Sequence, residues 1–164
     1  MKKIKADDKG FIISIISIAV VVGLAMSAIY SLKAPDKEKI EKYFKRDNAD
    51  LVLITEYFMD SGYLEMYIGK EELEDDIMSA GLNIRGMKIE NEAVIKAINR
   101  LLKRRGYTVI GRYGNTVYFE NGGMLARDRG IAYSISEEEP MSRNPIKSEP
   151  LSESGWYYYE DDYN

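Results

Sequence analysis

The chain has 164 residues, a net charge of −4, and neither cysteine nor histidine. Without cysteine it forms no disulfides or thiolate metal sites. Without histidine it lacks the usual general base and the commonest transition-metal ligand. P-loop, G-x-G-x-x-G, S-x-x-K and G-x-S-x-G motifs are also absent from the sequence. The composition therefore predicts a non-enzymatic protein with no cofactor and no metal, and the acidic balance argues against nucleic-acid binding.

Residues 10–32, GFIISIISIAVVVGLAMSAIYSL, contain no charged side chain and lie between Lys9 and Lys33. A helix of roughly 22 residues is about 33 Å long, enough to cross a hydrocarbon core of about 30 Å. We therefore predict an uncleaved signal-anchor: a single transmembrane helix at 10–32 that contacts the lipid bilayer, preceded by a basic cytoplasmic head of residues 1–9.

Two other interpretations of this segment involve cleavage. Ala25-Met26-Ser27 has the pattern of a signal-peptide processing site, although the apolar run continues beyond it. Gly10-Phe11 resembles the junction that is cut in type IV pilins and pseudopilins. The fifth residue after that junction is Ile15, where such leaders usually carry glutamate, and Pro35 interrupts the long helix that a pilin needs.

Positive charges flank the apolar segment on both sides and give almost no preference for orientation. A long domain follows the segment, and long domains translocate largely regardless of flanking charge. The positive head also precedes the apolar run as in an export signal. We expect a bacterial cell-membrane protein whose head is cytoplasmic and whose domain is extracytoplasmic.

Residues 33–164 have the size of one soluble domain. Asp36 can cap a first short helix, and Asp47 or Asn48 a second helix that ends before Gly62. An acidic stretch, residues 69–86, is predicted as a loop or a short helix.

A third helix is predicted after Asn91, with an apolar stripe on one face, and Gly106 ends it. After this helix the apolar residues recur at every second position. Strands are predicted at 63–68, 107–113, 116–120, 130–136 and 156–160. Turns are expected at Gly114-Asn115 and Asn121-Gly122-Gly123, and residues 137–155 as an extended loop rich in Pro, Ser and Glu. The pattern predicts an α+β domain with about three helices on an antiparallel sheet of four to five strands.

The unusual feature of this domain is its tyrosine content, because it holds twelve of the thirteen tyrosines of the chain. Several lie together near the C-terminus, and the cluster consists of Trp156, Tyr157, Tyr158, Tyr159 and Tyr163. Such rings supply rigid amphipathic contact area, so we predict these residues as a binding site for a protein or glycan partner. In the alternative interpretation, alternate rings cover the sheet and the others lie at the edge of the core.

Three segments of the domain resemble a known group of proteins. They are Asp60-Ser61-Gly62-Tyr63, Gly130-Ile131-Ala132-Tyr133-Ser134-Ile135, and Glu149-Pro150-Leu151-Ser152 with Gly155-Trp156-Tyr157-Tyr158-Tyr159-Glu160. The likeness, over about residues 36 to 164, is to small proteins of Clostridia and related gut Firmicutes in which one N-terminal membrane segment or lipoprotein-like leader precedes such a domain. The resemblance implies a membrane-anchored, surface-facing protein. No activity is assigned to the group, so it implies no catalytic residue, and this chain lacks a lipobox cysteine.

The sequence thus favours a membrane-anchored binding domain without chemistry of its own. The competing hypothesis is a carboxylate-dependent envelope hydrolase, which needs two acids in one cleft with separated pKa values.

Overall fold

A computed structural model of the chain describes residues 21, 35–70, 73, 82–84, 87–123, 127–136 and 145–162. The chain divides into two compact units, Met1–Lys33 and Ala34–Asn164. The predicted membrane segment and both cleavage sites lie outside the described residues, except for Val21, which is helical. Among the described residues no helix is both long enough and apolar enough to span a bilayer. The transmembrane helix therefore stays a prediction.

The unit Ala34–Asn164 has the predicted α+β architecture. Its described helices are α1 (Lys37–Asp60) and α2 (Glu92–Arg104). Its described strands are β1 (Glu65–Gly69), β2 (Leu82–Ile84), β3 (Met87–Ile89), β4 (Val109–Tyr113), β5 (Thr116–Gly123), β6 (Arg127–Ser134), β7 (Pro145–Pro150) and β8 (Trp156–Asp162).

Six of these strands form one antiparallel sheet in the order β1-β4-β5-β6-β8-β7. The strands β2 and β3 form a separate antiparallel pair. The strand β2 lies within the stretch 69–86 that was predicted as a loop or a short helix, and β3 directly follows that stretch. The prediction of four to five strands was too low, because part of the expected proline-rich loop is strand β7. Pro145 and Pro150 lie at the two ends of β7, which is an edge strand, and there a missing N–H costs least.

The two short helices predicted before Gly62 are a single helix of 24 residues, α1. Asp36 caps its start as predicted, since the carboxylate accepts a bond from the Lys39 amide at 3.0 Å. The prediction of a second cap at Asp47 was wrong because this side chain is engaged elsewhere. Asp47 is buried and accepts a 2.9 Å bond from Arg46 Nε. No glycine or proline interrupts residues 37–60, so the helix continues.

The other predicted helix is confirmed as α2. The Asn91 side chain accepts bonds from the amides of Ala93 at 3.0 Å and Val94 at 3.3 Å. Beyond the helix, Gly106 has φ 85°, the left-handed conformation that glycine adopts at little cost. The buried residues of α2 are Val94, Ile95, Ala97, Ile98, Leu101 and Leu102.

Both helices belong to the core that covers one face of the sheet, here called the inner face. A row of large side chains crosses four strands on this face, because Ile110 pairs with Phe119, Phe119 with Ile131, and Ile131 with Tyr158. Each of the four is at most 1% exposed.

The opposite face, here called the outer face, alternates tyrosines with very small residues. Tyr118 lies opposite Gly111 on β4 and Ala132 on β6. Its ring contacts Tyr159 edge-on, with centroids 5.3 Å apart. A Cβ added to Gly130 would lie 2.1 Å from the Phe119 carbonyl oxygen. These small residues therefore let strands approach closely and leave room for the tyrosine rings.

The predicted hairpin at Gly114-Asn115 is confirmed, since β4 and β5 pair across it and Gly114 has φ 58°. The predicted turn at Asn121-Gly122-Gly123 was wrong. These residues continue β5, with a register irregularity between Glu120 and Gly123. Gly122 has φ 84°. This glycine lies at a bulge within the strand and does not reverse the chain.

Candidate functional site

The aromatic cluster near the C-terminus is largely interior. Trp156 is 4% exposed and Tyr158 is 1% exposed. The indole of Trp156 packs against the rings of Phe44 and Tyr133, with centroid distances of 5.1 Å and 5.0 Å. Trp156 thereby joins α1 to the inner face of the sheet, and its role is that of a core residue.

The remaining aromatic residues of this cluster face the other way or are not described. Tyr159 is buried on the outer face, and Tyr157 is half-buried there. Tyr163 lies outside the described residues. Because neighbouring side chains of a strand point to opposite faces, β8 divides its aromatic residues between the two faces and does not bring them together as one exposed row.

Large exposed hydrophobic side chains occur instead at one end of the sheet. Leu64 is 63% exposed, Ile135 52%, Tyr63 47%, Tyr113 46% and Tyr67 42%. We call these five residues the distal patch.

Backbone hydrogen bonds bring the members of the distal patch together around the hairpin turn between β4 and β5. The Gly114 amide donates to the Leu64 carbonyl at 2.7 Å, and the Ile135 amide donates to the Asn115 carbonyl at 3.2 Å. Leu64 and Ile135 therefore flank the turn on its two sides. Tyr113 precedes the turn and pairs with Glu65 on β1, which places it diagonally from Tyr67 on the same face.

The C-terminal end of α1 lies beside this patch. A pocket of about 270 Å³ is lined by Tyr57 and Asp60 of α1 with Ser61 and Tyr63. The Ser61 hydroxyl donates to the Phe58 carbonyl at 2.7 Å and accepts from the Tyr63 amide at 3.3 Å. These two bonds fix the chain as it leaves the helix and so position Tyr63 at the pocket.

A buried arginine on the inner face of the sheet forms hydrogen bonds to the same region. Arg112 is 7% exposed, and burial lowers the pKa of its guanidinium. Its Nη1 donates to the carbonyls of Phe58 at 2.6 Å and Met59 at 3.1 Å. Its Nε donates to the Gly114 carbonyl at 2.8 Å. One side chain thus connects the last turn of α1 with the hairpin turn at the centre of the distal patch.

The segments that form this end of the domain are acidic. Residues 51–69 contain Glu56, Asp60 and Glu65, all exposed, and neither lysine nor arginine. Residues 113–119 and 130–136 contain no charged residue. The distal patch is therefore an apolar surface in a negatively charged setting.

Carboxyl groups gather elsewhere, at the outer face of β5, β6 and β8. Burial, and then the negative charges of Asp128 and Asp161, raise the pKa of Glu120 to about 7. Glu160, on the inner face, forms a 3.2 Å ion pair with Arg129. Within the described part of the chain, no group of three or more acidic, histidine or cysteine residues is arranged to hold a metal ion.

No protein-family model, curated protein or solved structure matches the chain. Its function is therefore argued from its own residues.

The sequence contained part of the signal for the distal patch. Tyr63 and Leu64 directly follow the helix-ending Gly62, and Tyr113 directly precedes the hairpin glycine. Strict alternation along the predicted strand 63–68 places Leu64 on the same face as Met66 and Ile68. Met66 and Ile68 are buried, whereas Leu64 is exposed and lies just before the strand begins. That Ile135 joins these residues depends on strand pairing, which local patterns do not reveal.

Proposed function

We propose that this protein is a single-pass membrane-anchored binding domain, without catalytic activity, that faces the outside of the cell and docks a partner protein on its distal patch. The observation that carries the proposal is the grouping of Leu64, Tyr113 and Ile135 around one hairpin turn. The resemblance of the chain to membrane-anchored proteins of Clostridia is consistent with the anchor and contributes nothing about the partner.

The composition of the patch supports a protein partner. Contiguous exposed apolar surface rimmed by polar groups is typical of interaction sites, and tyrosine is enriched in such sites because its ring offers apolar contact area and its hydroxyl a hydrogen bond. Three of the five patch residues are tyrosines.

The proposal is tested first by membrane extraction and protease shaving of intact cells. We expect the full chain to remain in the membrane fraction after alkaline wash, and the domain to be degraded by external protease. A chain released by the wash would contradict the anchor. A domain protected in intact cells and cleaved in opened ones would contradict the orientation.

The patch itself is tested by replacing Leu64 and Ile135 with serine. In gently solubilised membranes, we expect the wild-type chain to sediment with its partner and Leu64→Ser/Ile135→Ser to sediment alone. The matched control is Glu92→Ser/Lys96→Ser, two exposed substitutions on α2 that remove a 3.1 Å ion pair. Equal sedimentation of wild-type and patch variant would contradict the proposal.

A carboxylate-dependent envelope hydrolase is the second candidate, and the observation that favours it is Glu120. A carboxyl group with a pKa of about 7 can serve as a general acid at neutral pH, and Asp161 lies nearby on the same face. Purified chain would then release soluble fragments from cell-wall glycan, and Glu120→Gln would abolish the release. No release by the wild-type chain would contradict this candidate.

A further inference from the structure

We propose that the pocket formed by Tyr57, Asp60, Ser61 and Tyr63 binds a cationic side chain, the guanidinium or ammonium group of the partner that docks on the distal patch. This inference rests on the proposed function and names the chemistry of the partner. The pocket adjoins the patch because Tyr63 belongs to both.

The lining of the pocket supplies the contacts that an organic cation needs. Tyr57 and Tyr63 line the pocket, and the face of a tyrosine ring attracts a cation within about 6 Å of its centroid. The carboxylate of Asp60 adds a full negative charge. A volume of about 270 Å³ accommodates such a group together with a few waters, each of which occupies about 30 Å³.

The end of α1 strengthens this preference. The C-terminus of a helix carries a partial negative charge that cations in the last turn usually balance. The helix α2 follows this rule with Lys103 and Arg104, whereas the last turn of α1 has no basic residue and ends with Asp60. Arg112 satisfies two of the last carbonyls from the inner side.

A second tyrosine of α1, Tyr43, has cations beside its ring that Tyr57 does not receive from the same helix. The ring of Tyr43 is covered by cations of its own helix, Lys39 at 5.9 Å and Arg46 at 4.7 Å from the centroid. These are the positions four before and three after the tyrosine. Around Tyr57 the corresponding positions are Leu53 and Asp60. Within α1, the positions beside Tyr57 therefore provide a carboxylate and no cation, whereas Arg112 of β4 bonds the Phe58 and Met59 carbonyls from the inner side.

The chain segment that forms the pocket contains no basic residue, and the nearby Arg112 is buried on the inner side of the helix end. Residues 51–69 carry three acids and no base. Charge complementarity thus favours a cationic partner surface and disfavours a symmetric contact of this end with itself, because a second copy would then present the same acids.

The test is a ¹⁹F NMR titration of the full chain, carrying 3-fluorotyrosine, in mild detergent. The probe is N-acetyl-arginine amide, compared with the neutral N-acetyl-citrulline amide. We expect saturable shifts of the Tyr57 and Tyr63 resonances with arginine amide, at a dissociation constant on the order of 10 mM. We expect no saturable shift with citrulline amide. The Tyr43 resonance is an internal control, since its ring is already covered.

Variants separate the pocket from general charge effects. Asp60→Asn should weaken arginine amide binding at least fivefold. Glu38→Gln, which removes an exposed acid at the other end of α1, should leave it unchanged. Equal binding of arginine and citrulline amides, no saturable shift, or equal binding by Asp60→Asn and wild type would overturn the inference.

The two proposals fail in different ways. Leu64→Ser/Ile135→Ser leaves the pocket residues intact, so it should bind arginine amide normally while losing the partner. If the patch variant loses the partner but the wild type does not bind arginine amide, only the cation site is contradicted. If the wild type binds arginine amide but the patch variant keeps the partner, docking on the patch is contradicted.

Discussion

The guanidinium of Arg112 donates a 2.6 Å hydrogen bond to the Phe58 carbonyl, fifty-four residues earlier in the chain. It joins β4 to the last turn of α1, and through Gly114 it also supports the hairpin turn. Arg112 thus bonds both the helix end that contributes to the pocket and the turn that the distal patch surrounds, so the placement of both depends on one buried cation.

Arg112→Met should therefore reduce the free energy of unfolding by about 2 to 3 kcal/mol, because buried carbonyls of Phe58 and Met59 lose a charged donor. Urea denaturation measures the change. The control is Arg100→Met, whose 3.1 Å ion pair with Asp50 is about half exposed and should contribute less than about 1 kcal/mol. Equal losses in the two variants would show that burial of Arg112 is unimportant.

Two glycines with different surroundings provide a second test. An added Cβ at Gly130 would lie 2.1 Å from the Phe119 carbonyl oxygen, whereas nothing lies within 4 Å of one at Gly114. Gly130→Ala must separate β5 from β6 and should cost about 3 kcal/mol or more. Gly114→Ala bears only the strain of a positive φ and should cost about 1 kcal/mol. Thermal melts compare them, and a milder effect at Gly130 would contradict the strand geometry.

Local signals in the sequence located the regular elements whose ends are marked by caps and glycines. Asp36, Asn91 and Gly106 define the helix ends that the structure confirms. Aspartate favours the start of a helix, and for this reason the prediction at Asp47 was wrong. The carboxylate of Asp47 instead bonds to the neighbouring Arg46 and lies 3.5 Å from Nε of Arg105, which is distant in sequence. A tertiary ion pair thus overrode a local preference.

The site was harder to predict because exposure is set by pairing between distant strands. The aromatic run on β8 has the same composition whether it is exposed or buried, and only the helices on the inner face make Trp156 and Tyr158 interior. Conversely, Leu64 and Ile135 bond to the two sides of the same hairpin turn, and no local pattern links residues 64 and 135.

Glu120 predicts a distinctive pH dependence of stability. Burial and neighbouring carboxylates raise its pKa from 4.5 to about 7 in the folded chain. Because the folded state binds the proton more tightly, this group lowers the free energy of unfolding as pH rises from about 4.5 to about 7, by about 3 kcal/mol in total. Glu120→Gln should remove that fall and be more stable than wild type at pH 8.

Urea denaturation at pH 4.5 and pH 8 measures the Glu120 effect as the difference between variant and wild type. Glu65→Gln, an exposed carboxyl on β1, is the control and should follow the wild-type curve. A Glu120→Gln curve parallel to that of the wild type would contradict the burial of this carboxyl.

The interior position of Trp156 is directly measurable because it is the single tryptophan of the chain. At 4% exposure, its fluorescence should be blue-shifted relative to the unfolded chain and resist quenching by iodide. Phe44→Ala removes one of its ring neighbours and should increase quenching. Strong iodide quenching of the wild type would return Trp156 to the candidate binding residues.

The central claim, that the distal patch is a docking surface, is tested most directly by site-specific photocrosslinking in intact cells. A benzophenone side chain replaces Leu64 or Ile135 in one pair of strains and the exposed Glu92 or Lys96 of α2 in another. We predict that Leu64 and Ile135 yield the same discrete adduct and that the α2 positions yield none. Adducts from α2 without adducts from the patch, or none from any position, would contradict the claim.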